Sequence, residues 1–145
     1  MEINRILENI PVQELIKSAL LARKKSYSPY SSFKVGAAVL TRDNRIYTGC
    51  NIENAAYSPG ICAERNAIYK AVSEGARHFL AIAVTGGAKD EPDSYAFPCG
   101  VCRQVMREFV NPDDFVVIVA KSTEDYKIYT LAQLLPDSFG PDHLA

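Results

Sequence analysis

The sequence predicts an α/β domain built on a mixed central β-sheet of about five strands flanked by helices. Three observations carry this expectation. Short apolar or alternating segments of strand character take turns with segments of helical periodicity, in the order β-β-α-β-α-β-β after a leading helix. The turn-forming tripeptide Arg42-Asp43-Asn44 joins the first two strand segments as a hairpin, whereas later strands are separated by helices long enough for crossovers. No repeat, low-complexity tract or linker divides the 145 residues, so residues 1–145 are read as a single domain. A chain of this size buries about 68–70% of the surface its unfolded form exposes, so its core needs no disulfide staples.

Taken in order, Pro11 suits the first position of a helix, and Val12, Leu15, Ile16, Ala19 and Leu20 repeat with amphipathic spacing, so a helix is predicted over roughly 11–25. Tyr27-Ser28-Pro29-Tyr30-Ser31-Ser32 reads as a loop. Residues 33–41 form a strand with Val35, Ala37 and Val39 on one face, and 45–51 return as its hairpin partner. The helix predicted over 61–73 places Ala63, Ala67 and Ala71 on one side, with Gly75 just past its end. The apolar run 79–85 is a strand buried on both faces. Residues 86–97 form a Gly- and Pro-punctuated loop, of a length that is often functional. Pro98-Cys99-Gly100 opens a helix through Phe109, and strands over 115–120 and 126–130 precede a last helical turn over 131–135.

Sixteen basic and seventeen acidic residues leave a net charge of -1. Such a chain has no global field for a nucleic acid or an anionic membrane, so a small, near-neutral partner is expected. The amino-terminal residues lack the basic and apolar regions of an export signal, and the longest apolar runs are far shorter than the ~20 residues of a membrane span. A cytoplasmic location is expected, where four cysteines serve as ligands, nucleophiles or small buried residues rather than disulfides.

Three of those cysteines open helices. Cys99 and Cys102, three apart, share a helical face, and Cys62 stands at the start of the preceding helix. If the two helix starts meet, three thiolates can hold one zinc ion and leave its fourth position for water, the pattern of a catalytic site. Helix N-termini stabilise thiolates, and Arg65 and Arg103 are candidate donors to sulfur that offset the surplus negative charge. Glu64, two residues after Cys62, points away from the ligand direction and stands where a proton shuttle belongs. Asn51 and Glu53, two apart at a strand end, share a face and suit a sugar hydroxyl, although such pairs are usually solvated surface. Phe33 reads as core by its strand position. Cys50 reads as a small buried residue, and His78 and His143 fall outside every motif.

The helix-opening motifs Cys62-Ala63-Glu64-Arg65 and Pro98 to Gln104 resemble the signature of the zinc deaminases. With Tyr27 to Ala38, Gly49 to Tyr57 and Leu134 to Pro141, they closely resemble the small homotetrameric cytidine deaminases over nearly the whole chain. Phe97 and Val101 replace smaller residues common in that family, and Asn66 stands where Thr is usual.

The resemblance implies the cytidine deaminase fold and one zinc per subunit on Cys62, Cys99 and Cys102, with Glu64 moving protons and Arg65 supporting the ligands. It implies hydrolysis of cytidine and 2′-deoxycytidine to the uridine analogues with release of ammonia, in pyrimidine salvage. Asn51 and Glu53 would hold the ribose 3′-hydroxyl, Phe33 would line the base pocket, and backbone groups of Ala55 and Ala63 would read the pyrimidine. Tyr57 and Phe139 would complete a neighbouring subunit's pocket in a homotetramer with shared sites. Two competitors remain: the same chemistry on another aminated pyrimidine, or a protein that is not a hydrolase. The latter is either a thiol redox pair or a structural zinc site with Cys50 as fourth ligand.

Overall fold

Helix α1 (Glu2–Leu7), for which the sequence offered no signal, precedes the helix expected from periodicity, α2 (Val12–Arg23), in a computed structural model that describes residues 2–144. The hairpin β1 (Lys34–Thr41) and β2 (Ile46–Cys50) turns at Asn44, whose φ of 68° falls in the left-handed region that asparagine tolerates. Helix α3 (Ala63–Ser73) ends as expected at Gly75, φ 104°. The amides of Ala76 and Gly75 bond back to the carbonyls of Ala71 and Val72, which closes the helix with a Schellman motif. Strand β3 (Phe79–Gly87), helix α4 (Gly100–Phe109), strands β4 (Val116–Ala120) and β5 (Tyr126–Thr130) and the short α5 (Leu131–Leu134) follow. Thr130 caps α5 through a reciprocal box with Gln133.

The five strands lie in the order β2-β1-β3-β4-β5. Only β3 and β4 run parallel, joined through α4; the other neighbours are antiparallel. The sheet is therefore mixed, as expected, and buried on both faces. Leu15, Ile16 and Ala19 of α2 pack on Ala38, Leu40, Ala83 and Ile118. On the other face Ala67 and Ile68 of α3 and Met106 of α4 pack on Val39, Ile82, Val84 and Val117. Each fully buried Val, Leu, Ile or Met side chain contributes about 1.5–3 kcal/mol. At Gly49 an added Cβ would lie 2.5 Å from Ala67 N and 2.7 Å from Ala63 O, so α3 sits directly on the β2 backbone.

Two boundaries differ from expectation. Gly86 and Gly87 belong to β3 rather than to a loop, because pairing with β1 continues through Val35 and Lys34. A Cβ at Gly86 would lie 2.9 Å from the Cβ of Ala96 and 3.2 Å from the Phe33 ring, so the glycine marks close packing rather than a turn. Phe33 precedes β1 and is partly exposed instead of core.

Candidate active site

The connections β2 to α3 and β3 to α4 deliver two helix N-termini to the same place. Cys62 and Cys99 are the N-cap residues of α3 and α4, both in extended backbone, and Cys102 lies one turn into α4, fully buried. Their sulfurs converge: Cys62 Sγ lies 3.9 Å from Cys99 Sγ, which lies 3.6 Å from Cys102 Sγ. Two sulfurs bound at ~2.3 Å to one tetrahedral ion lie about 3.8 Å apart, so the cluster fits zinc. The donor set is soft and all sulfur, and among the described residues it is the one group of three or more His, Cys, Asp and Glu side chains that converges in this way. Cys50 stands outside it, which removes the fourth ligand that a closed structural site needs.

Arg65 Nη2 reaches Cys62 Sγ at 3.5 Å, while its buried Nε has no hydrogen-bond partner. Arg103 does not reach the sulfurs. Its guanidinium donates to the carbonyls of Pro98 and Leu134, tying the start of α4 to α5. Hydrogen bonding within the cluster, first from Cys102 and then from Arg65 and Cys99, outweighs burial and holds the Cys62 thiol down to about 5. Cys102, facing Cys62 and buried, is pushed up, and bonding to Cys62 raises Arg65.

Glu64 is 4% exposed, one residue from the buried Ala63. Burial pushes its carboxyl up to about 7, and the neighbouring Cys62 adds in the same direction. A carboxyl so placed can both take and return a proton. Glu64, Cys62 and Cys99 line a cavity of about 670 Å³, a size suited to a small ligand.

Phe33, Asn51, Glu53, Tyr57, Ala63 and Phe97 all line that cavity. Asn51 donates to Phe33 O at 2.8 Å and accepts from Val35 N at 2.9 Å and from the Ser26 hydroxyl. Glu53 accepts from the amides of Tyr30 and Ser31 at 2.9 and 3.2 Å and from the Ser31 hydroxyl. Ala55 is exposed in the adjoining turn and is not among the cavity-lining residues. Tyr57, at φ 64°, is 78% exposed, and its ring meets Tyr30 edge-on. Phe139 lies outside its own chain's cavity, 56% exposed, stacked on His143.

Sequence reasoning missed the side chains that hold the site's loops. Arg23 is 4% exposed and donates to the carbonyls of Lys34, Gly87, Lys89 and Asp90, anchoring the loop that leads to Phe97 and Cys99. Gln104 and Arg107 of α4 bind Phe139 O, Ser138 Oγ and Asp142 Oδ1, fixing the carboxy-terminal segment. These contacts span 11 to 67 residues, so no local pattern signals them.

Comparison with known proteins agrees with this geometry. The profile of the cytidine and deoxycytidylate deaminase zinc-binding region matches residues 10–119. A cytidine deaminase of Sporosarcina psychrophila is 46% identical over 134 residues, covering 92% of this chain and 95% of its own. One from Halalkalibacterium halodurans is 46% identical over 127 residues, covering 88% and 92%. The crystal structure of cytidine deaminase from Burkholderia pseudomallei superposes with a TM-score of 0.79 at 44% identity, covering 87% of this chain and 97% of that one. Three convergent thiols at paired helix starts, a buried glutamate beside them and a match over most of the chain place this protein in the cytidine and deoxycytidylate deaminase family.

Proposed function

We propose that this protein is a zinc-dependent hydrolase that converts cytidine and 2′-deoxycytidine to uridine and 2′-deoxyuridine, releasing ammonia, in pyrimidine salvage. The observation that carries the reading is the buried Glu64 carboxyl beside the convergent sulfurs of Cys62, Cys99 and Cys102, with Glu64, Cys62 and Cys99 lining a nucleoside-sized cavity. Cys62, Cys99 and Cys102 hold the zinc, with Arg65 offsetting their charge. When bound, zinc supplies the Lewis acidity that makes water a nucleophile near neutral pH. Glu64 takes the proton from the attacking water and hands protons to N3 and to the amine leaving C4, so that water replaces ammonia with no net proton change.

Phe33 forms one wall for the base and the backbone of Ala63 reads the pyrimidine; a backbone contact from Ala55, which stands beside the lining residue Asn54, completes this reading. Asn51 and Glu53 take the ribose 3′-hydroxyl, which leaves no room for a 3′-phosphate and favours a free nucleoside over a polynucleotide. Tyr57 and Phe139 of one subunit close the cavity of a neighbour in a homotetramer. Their exposure supports this reading: Tyr57 lines the cavity with its ring largely open to solvent, and Phe139 stands outside the cavity of its own chain with its ring exposed, as groups that meet a neighbour do. A cytoplasmic location follows from the same reading, and among the described residues no helix is long and apolar enough to cross a membrane.

The test is to mix the purified protein with cytidine and follow the ultraviolet change of cytosine into uracil, before and after chelation and zinc readdition. Turnover that vanishes with the chelator and returns with zinc is the expected result. One bound zinc per chain without turnover on any aminated pyrimidine nucleoside would overturn it.

A further inference from the structure

The hydrogen-bond valences of Asn51 and Glu53 are almost fully spent inside the protein. The amide oxygen of Asn51 accepts two bonds, from Val35 N and the Ser26 hydroxyl, and its nitrogen donates one, to Phe33 O. One N–H remains. Glu53 Oε1 accepts two backbone amides, from Tyr30 and Ser31, and Oε2 accepts the Ser31 hydroxyl. One lone pair remains of about four. The pair therefore offers the cavity a single donor and a single acceptor, the complement of one hydroxyl, which accepts and donates once each.

Ser31 is the residue that sets this remainder. Its hydroxyl donates to Glu53 Oε2 and accepts from Phe33 N at 3.0 Å, so it joins the carboxylate to the wall of the base pocket. The Ser31 hydroxyl is also the leading cause holding the Glu53 carboxyl below its ordinary range, with the Tyr30 and Ser31 amides acting the same way. Without that hydroxyl, Oε2 gains a second open lone pair and loses the contact that orients it.

We propose that Ser31 is a positioning residue for substrate selection: its hydroxyl holds Glu53 so that the Asn51–Glu53 pair forms a socket for one free sugar hydroxyl. The socket selects nucleosides that carry this hydroxyl over those in which it is absent or blocked. The inference rests on the assignment of this pair to the sugar made above.

The test compares Ser31→Ala and Ser31→Thr with the unaltered zinc-loaded protein, using cytidine and 3′-deoxycytidine as substrates. In Ser31→Ala, KM for cytidine rises about tenfold, the value of one hydrogen bond to a charged group, with kcat changed by less than about twofold. The kcat/KM for 3′-deoxycytidine stays unchanged, because the contact that Ser31 supports is missing from that substrate. Ser31→Thr, which keeps the hydroxyl, restores the cytidine KM. Equal losses on both substrates, no loss on cytidine, or loss of the circular dichroism signature in Ser31→Ala would each overturn the proposal in favour of a merely structural turn. An unaltered protein that turns over 3′-deoxycytidine as efficiently as cytidine would defeat the sugar assignment beneath it, and the proposal with it. Absence of any cytidine turnover would defeat the deaminase reading instead.

Discussion

Arg65 Nη2 lies 3.5 Å from Cys62 Sγ, one turn along the helix that Cys62 caps. Three thiolates around one divalent cation carry a net charge of -1, and this guanidinium is the cation that faces them. Replacing Arg65 with Gln is expected to weaken zinc binding about 10–100-fold, the usual cost of losing such support. Competition against a chromophoric chelator measures it; unchanged affinity would assign Arg65 to packing alone.

Glu64→Gln keeps the size and burial of the side chain but cannot accept the proton. It is expected to retain one zinc per chain and lose at least ~100-fold in kcat, the low end for general acid–base catalysis. Metal analysis alongside the ultraviolet assay separates the two effects, and retained turnover would refute the assignment.

Phe139 is presented by a segment that Gln104 and Arg107 fix to α4, and the shared-site proposal requires its ring to enter a neighbouring chain's cavity. Phe139→Ala is expected to lower kcat/KM about tenfold or more, the value of one buried aromatic contact. Kinetics paired with sedimentation test this. Unaltered turnover with unaltered assembly would end the shared-site reading.

Arg23→Ala strands carbonyls of Lys34, Gly87, Lys89 and Asp90 that the guanidinium now satisfies. Stability to urea is expected to fall by roughly 2–4 kcal/mol. Trypsin is expected to cut after Lys89 faster once the loop is released. A loss below about 0.5 kcal/mol, the level of an ordinary surface change, would show that water replaces the guanidinium at no cost.

Burial holds the Cys50 thiol above its ordinary value, outweighing the pull of Lys70 and Lys25. A raised thiol pKa keeps the neutral, unreactive form to higher pH. Alkylation of Cys50 is therefore expected to be slow at neutrality and to accelerate as pH rises. Cys50→Ala is expected to leave zinc stoichiometry unchanged; loss of the metal in that variant would revive a four-cysteine site.

Much of the fold was legible locally. The α2 periodicity, the Asn44 turn, Gly75 beyond α3 and the apolar runs of β3 and β4 each obey rules that act over a few residues. Helix α1 escaped because its six residues carry neither cap nor sustained periodicity. Gly86 and Gly87 escaped because a glycine demanded by close packing against Ala96 and Phe33 looks, in sequence, like one demanded by a turn. Arg65 and Arg103 are both candidate donors to sulfur from their positions, with the resemblance favouring Arg65, since direction from a helix start does not say which distant atom a side chain meets.

What the sequence determined by itself is the chemistry: three thiols and a glutamate at two helix starts, because metal ligation and helix capping are set by residue type and short spacing. What only the tertiary structure decided is how these groups are held and what remains free to bind. The 3.9 Å approach of Cys62 to Cys99, the latch at Arg23 and the single unspent donor and acceptor of Asn51 and Glu53 all join residues far apart in the chain. Hydrogen-bond valence is consumed by whichever partners the fold brings near, so it can be counted only once the chain has closed on itself.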